Sequence, residues 1–350
     1  MSVRITAVAK ALPTNWRDTS DILPFLNSWL SGQDMRFQRK VKKIFENAAV
    51  DRRYSIMEPD EVFAKTSFEE KNAIYKRESI RLAETALTGA LAKTNWQLTD
   101  IDYLITVSCT GIMIPSLDAY LINNLQMRQD VVRLPVTEMG CAAGVSGIIY
   151  AKNFLKANPN KRAALIAVES PTATFQLDDF SMANIVSAAI FGDGAACVLL
   201  SSYEDEAGPE VVAEDMYHFF DATHLMGFDL TNNGLQMVLD KSVTETIAAH
   251  FSDIIFPFLA KSGIEIEELS HLIFHPGGRK IVETVQEIFG KLGKNIDETK
   301  EVLRLYGNMS SATVLYVLER FMDQQPDKDS YGLMLSFGPG FSAQRVLLKW

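Results

Sequence analysis

Apolar and polar residues alternate along the opening stretch MSVRITAVAKALPT, and period-two alternation marks a half-buried strand. A secretory signal peptide would carry an unbroken apolar core instead. The pattern changes over residues 71–93. Ile74, Ile80, Leu82, Ala83, Leu87, Ala90 and Leu91 recur there at near-helical spacing, which predicts an amphipathic helix. Apolar runs predict buried strands at 103–109, 131–139, 162–169 and 195–200, with a helix from Cys141 through Phe154. Beyond them the reading is a strand at 269–274, helices at 277–289 and 310–322, and strands at 331–337 and 341–348 around Gly338-Pro339-Gly340. Strands and helices in alternation predict a layered α/β fold, its sheets covered by helices. The acidic, Gly- and Pro-containing stretch 203–210 is the expected boundary between two halves, 1–205 and 206–350.

At 350 residues the chain can bury a large core without a disulfide or metal staple. Its hydrophobic fraction of 47% excludes an extended disordered chain. The formal charge of −10 makes non-specific nucleic-acid binding a poor expectation, because such binding needs dense positive charge. No apolar run approaches the roughly 20 residues that span a bilayer. Three cysteines with no CxxC pair fit a reducing cytoplasm better than a disulfide framework or a zinc ribbon. His271 and His275 lie on one apparent strand, about 13 Å apart at ~3.3 Å per residue, too far to share a metal.

Three constellations can carry chemistry. In Glu138-Met139-Gly140-Cys141-Ala142-Ala143-Gly144 a strand ends, glycine allows a tight turn, and small residues open a helix. A cysteine at a helix start feels the positive end of the dipole, which lowers its pKa. The bland reading is a buried structural thiol. In His275-Pro276-Gly277-Gly278 a histidine ends an apolar strand and the glycines leave room for a ligand; it also reads as a satisfied structural histidine. In Tyr306-Gly307-Asn308-Met309-Ser310-Ser311-Ala312 the asparagine precedes a helix, where it serves either a pocket or an N-cap. Together, Cys, His and Asn at element ends suit thioester chemistry, and also a Cys-His-Asn protease.

The strings GCAAG at Cys141, FGDGAA from Phe191, HPGG from His275, YGNMSSAT from Tyr306 and SFGPGFS from Ser336 resemble the type III polyketide synthases, the chalcone-synthase-like family of the thiolase superfamily. RRY at Arg52–Tyr54 and the Cys109-Thr110-Gly111 turn ending in Pro115 fit as well, and the strings keep the family's order over nearly the whole chain. The resemblance implies a thiolase-like fold of two similar halves and a homodimer. It implies acyl-CoA and malonyl-CoA as substrates, with no organic cofactor or metal. Carried over by position, Cys141 is the nucleophile, His275 and Asn308 complete the triad, and Phe191 is a gate aromatic. The family's second gate phenylalanine corresponds to Met237, and Pro171 and Thr174 fall near other pocket positions. These departures point away from an aromatic starter.

CoA phosphates require a basic entrance on an acidic protein. The segment 36–43, RFQRKVKK, supplies one. Lys40 and Lys43 fall where the family places CoA-binding bases, whereas the third such position holds Asn47. Without the resemblance this segment reads equally as a solvated helix face. Two rival functions remain. One is a fatty-acid-initiating ketoacyl synthase served by acyl carrier protein, whose histidine lies in a different local string. The other is a non-catalytic acyl-CoA-binding relative, which has no chemical need for all three of Cys, His and Asn.

Overall fold

The computed structural model describes residues 2–350. The opening alternation becomes the strand Arg4–Ala11, and the amphipathic stretch becomes the helix Phe68–Leu91. Ser67 and Glu70 cap that helix reciprocally, which fixes its start three residues before the predicted start at residue 71. Nine strands form one mixed sheet. In its first part Val132–Val136, Tyr103–Val107 and Arg162–Glu169 run parallel; Gly194–Ser201 and then Arg4–Ala11 continue it antiparallel. In its second part Leu269–Phe274 runs parallel to Tyr331–Gly338, and Ser342–Lys349 and Glu210–His218 follow antiparallel. The parallel–antiparallel–antiparallel series thus occurs twice, and the two series meet where Arg4 pairs with Glu210.

Two helices, Ala143–Ala157 and Thr313–Gln324, form the centre of the molecule. Their side chains share one core with Ile105, Leu165 and Val198 of the first series and Ile273, Met334 and Val346 of the second. Alternate residues of the same strands point the other way. Leu104, Ile166 and Leu199 face Phe68–Leu91; Leu272, Leu335 and Leu347 belong to a third core with the helix Val243–Lys261. The result is five layers, helix–sheet–helix–sheet–helix. The central helices approach closely at Gly144, where a Cβ would stand 2.3 Å from the Ser311 carbonyl oxygen.

Most predicted elements form with ends shifted by one to three residues. Two differences have physical causes. The strand Val132–Val136 is not buried: it ends the sheet and most of its side chains are exposed or half-exposed. The expected helix at Cys141 begins instead as the single 3-10 turn Gly140–Ala142, and the helix from Ser310 likewise begins with the 3-10 turn Ser310–Ala312. His271 and His275 do not face one space. His271 packs on Phe321 and Trp350, whereas His275 opens on a cavity.

Candidate active site

Cys141 and Asn308 occupy equivalent places, at the starts of the two central helices. Gly140 makes the turn before Cys141 with φ +50°, and a Cβ there would lie 2.6 Å from the Pro339 ring. The loop containing Gly338-Pro339-Gly340 therefore braces the cysteine turn. Ser336 Oγ adds a hydrogen bond of 2.6 Å to the Cys141 carbonyl oxygen. His275 follows the strand Leu269–Phe274, and its N–H still donates to the Leu335 carbonyl, so the sheet holds it in place.

Asn308 is tied on every side but one. Its backbone N–H donates to the Ile190 carbonyl, and its carbonyl accepts from the Gly192 N–H. Its amide oxygen accepts from the Ser310 N–H at 2.8 Å and from Thr313 Oγ1 at 3.3 Å. The amide nitrogen donates to the Gly277 carbonyl at 3.1 Å, and a second hydrogen bond from the amide favours the Cys141 thiolate. The N-cap-like bond and a pocket role are thus compatible, because they use different ends of one amide.

These elements enclose a cavity of about 1010 Å³ lined by Cys141, His275, Asn308, Phe191 and Met237. His275 is buried and neither ring nitrogen has a partner among the described residues. Burial pushes its imidazole down to about 3. Burial also pushes the Cys141 thiol up to about 11, opposed by hydrogen bonds from Ser310 and Asn308. This corrects the expectation of a thiol lowered by the helix start alone: desolvation outweighs the short turn. The thiol donates to Ser310 Oγ at 3.5 Å, and Cys109 touches the same hydroxyl at 3.5 Å.

Beneath them Glu169 ends a central strand, fully buried and, among the described residues, without a cationic partner. It accepts from the Cys109 N–H at 3.0 Å, Thr110 Oγ1 at 2.8 Å and Ser311 Oγ at 2.5 Å. Burial raises its pKa against those bonds. Ser310, Cys109 and Glu169 were not singled out as individual residues in the sequence. The available signal was that the first two lie inside family-like strings.

The mouth of the cavity is basic. Lys40 and Lys43 line it from the helix Met35–Glu46, together with Arg36 and Arg39. Lys241, Arg279 and Lys280 line it from elsewhere. Arg279 reaches the Asn47 carbonyl at 3.2 Å and its amide oxygen at 3.3 Å, so a guanidinium stands beside the position where the third expected base is missing. Pro171 and Thr174 do not line this cavity. They line a second, narrow one of about 80 Å³, which shares Phe191 and Met237 with the first.

Comparison with known proteins identifies the family. Residues 2–203 match the N-terminal domain of chalcone and stilbene synthases, and residues 214–350 match the C-terminal domain. The chain is 33% identical to the 1,3,6,8-tetrahydroxynaphthalene synthase of Streptomyces peucetius subsp. caesius, over 99% of this chain and 93% of that protein. It is 29% identical to the phloroglucinol synthase of Pseudomonas fluorescens, over 88% of each. The crystal structure of 1,3,6,8-tetrahydroxynaphthalene synthase from Streptomyces coelicolor, a bacterial type III polyketide synthase, superposes with a TM-score of 0.93 at 26% identity, covering 99% of both chains. With both family domains matched in order over nearly its whole length, the chain belongs to the chalcone and stilbene synthase family and is a polyketide synthase of the type III class with a thiolase-like fold.

Proposed function

We propose that Cys141 carries the starter and the growing chain, and that His275 and Asn308 serve both loading and extension. The observation that supports this most is the convergence of these three residues on one large cavity with a cationic mouth. In loading, His275 takes the thiol proton and the sulfur attacks the acyl-CoA carbonyl, expelling the CoA thiol. Malonyl-CoA then enters. Its thioester oxygen accepts the Asn308 N–H released by acylation of Cys141, and the N–H of His275. Loss of carbon dioxide places negative charge on that oxygen, so the two donors bind the transition state more strongly than the ground state. The enolate attacks the Cys141 thioester, and repetition lengthens the chain before it cyclises to a pyrone or resorcinol-type product. No base is needed to make the carbanion, because decarboxylation makes it.

The same reading assigns Lys40 and Lys43 to CoA phosphates, and Phe191 and Met237 to the gate. It divides the chain into 1–205 and 206–350, which the repeated strand series supports. It also includes a homodimer. Ile112, Ile114 and Val132 are exposed near the open edge of the sheet, and apolar side chains so placed suit an interface. The three free cysteines fit a cytoplasmic location, and no helix among the described residues is long and apolar enough to cross a membrane.

The test is to incubate the protein with malonyl-CoA and a panel of acyl-CoA starters and to identify products by mass. Cyclised polyketides are expected from wild type and none from Cys141→Ala, with the fold retained. Substitution of serine for Cys141 should also leave almost no activity, since no strong base is present to activate a hydroxyl. Use of malonyl-carrier protein but not free malonyl-CoA would favour a ketoacyl synthase. Product formation by Cys141→Ala would remove the covalent mechanism.

A further inference from the structure

The helix Met182–Ile190 ends against Asn308, and the last four carbonyls of any helix have no partner within it. Here each of the four finds one. The Ser187 carbonyl accepts from the Phe191 N–H at 2.9 Å, and the Ile190 carbonyl from the Asn308 N–H at 2.8 Å. The two between them share one side chain. Arg53 Nη1 donates to the Ala188 carbonyl at 2.6 Å, and Nη2 to the Ala189 carbonyl at 2.8 Å. Nη1 also lies 3.5 Å from the Phe191 carbonyl oxygen. Arg53 stands on the short strand Arg52–Ser55 and is only 5% exposed. Its remaining hydrogen bond goes to Thr19 Oγ1 at 3.3 Å, and its Nε has no partner among the described residues. Buried charges are ordinarily paired. For this guanidinium, the negative end of the helix dipole takes the place of a carboxylate.

The capped helix end also holds Asn308. Besides the bond from Asn308 to Ile190, the Gly192 N–H donates to the Asn308 carbonyl at 3.1 Å, and Phe191 and Asn308 form an isolated parallel bridge. The fit is tight, since a Cβ on Gly307 would lie 2.7 Å from the Ile190 carbonyl oxygen. On the other side, the strand that carries Arg53 grips the next residue. The Asp193 N–H donates to the Tyr54 carbonyl at 2.8 Å, and the Ile56 N–H to Asp193 Oδ2 at 2.8 Å. Cys141 and His275 are fixed elsewhere, by Ser336 and by the Leu335 carbonyl.

We propose that Arg53 is a positioning residue for malonyl-CoA decarboxylation. By satisfying the helix end it fixes residues 188–192, and through their backbone it aims the Asn308 amide at the thioester oxygen. This rests on the reading of Asn308 as an oxyanion donor. Acyl loading depends chiefly on Cys141 and His275, which lie outside this network, so Arg53 acts on one half-reaction and spares the other. Lysine is no substitute. Its ammonium is a single point of charge, whereas the planar guanidinium fork spans two adjacent carbonyls.

The experiment compares Arg53→Lys, Asn308→Ala and the double variant in two assays: release of carbon dioxide from malonyl-CoA, and transfer of a labelled acyl group from acyl-CoA to Cys141. Arg53→Lys should lower kcat for decarboxylation about 10- to 100-fold, as for a donor misplaced by up to ~1 Å, and leave loading within about threefold. In the double variant, decarboxylation should match Asn308→Ala within about twofold, because a residue that acts through an amide adds nothing once the amide is gone. Arg53→Gln is run beside it, since burying an unpaired ammonium can unfold a chain. The glutamine is uncharged and still a donor, and it should show the same split between the assays. Equal losses in both assays overturn the proposal, as do undiminished decarboxylation and a loss that multiplies in full in the double variant. Failure of both Arg53 variants to fold overturns it too, by assigning Arg53 to stability. If Asn308→Ala decarboxylates like wild type, the role given to Asn308 falls and this inference with it. If only Arg53→Lys does so, the role of Asn308 stands.

Discussion

The imidazole of His275 and the thiol of Cys141 are both held neutral by burial, His275 near 3 and Cys141 near 11. An isolated charge on either is costly, and in the proposed mechanism the two ionise together. Without the imidazole, burial still outweighs the hydrogen bonds of Ser310 and Asn308. In His275→Ala, alkylation of Cys141 by iodoacetamide should rise about tenfold per pH unit from pH 7 to 9.5, as expected below a high thiol pKa. At pH 7 it should be much slower than in wild type. Equal rates at pH 7 would show that His275 does not assist the thiol. Asn308 should behave differently. One N–H of its amide is held by the Gly277 carbonyl, and acylation of Cys141 frees the other for a ligand. Asn308→Ala should lose malonyl-CoA decarboxylation by about 100- to 1000-fold, the usual effect of removing one oxyanion donor, while acyl loading on Cys141 continues. His275→Ala should impair both steps. Matching loading defects in the two variants would contradict this division of roles.

The helix Met35–Glu46 and the start of the helix Arg279–Gly290 together rim the entrance. Contacts there lie far from the reacting carbon and are equal in ground and transition states, so they act on KM more than on kcat. Lys40→Ala with Lys43→Ala should raise KM for CoA substrates and weaken its salt dependence. An N-acetylcysteamine thioester, which lacks the phosphates, should be unaffected. Arg279→Ala should add to the defect, because its guanidinium stands beside Asn47. A penalty of the same size on the truncated thioester would assign these residues to structure instead. The bases of the first helix were legible because they follow one another in the chain. Arg279, Lys280 and Lys241 were not, because folding brings them to the same rim from segments far away in sequence.

Across the whole molecule, the sheet leaves Val132–Val136 at an open edge, with Ile114 of the neighbouring loop 91% exposed. An uncovered strand edge with apolar side chains is a site for another chain. Ile114→Lys places a charge in that surface. It should shift the proposed homodimer toward monomer in sedimentation at micromolar concentration, with secondary structure unchanged. A dimer as tight as wild type would move the interface elsewhere.

Local patterns alone determined much of this protein. Period-two and helical spacing located most strands and helices, because side-chain periodicity follows directly from backbone geometry. The strings at Cys141, His275 and Asn308 declared themselves because glycines and small residues at element ends leave a record in the chain. Only the tertiary structure decided what surrounds those residues. Desolvation set the neutral states of Cys141 and His275, overriding the dipole argument at the helix start. Glu169, an ordinary strand-end carboxylate in sequence, became a buried, hydrogen-bonded carboxyl group beneath the site because Thr110 and Ser311 converge on it from distant segments. Pro171 and Thr174 were assigned to the pocket yet line a separate space behind Phe191 and Met237. Burial, cavity shape and the meeting of remote side chains depend on how layers pack, and no short window of sequence contains that information.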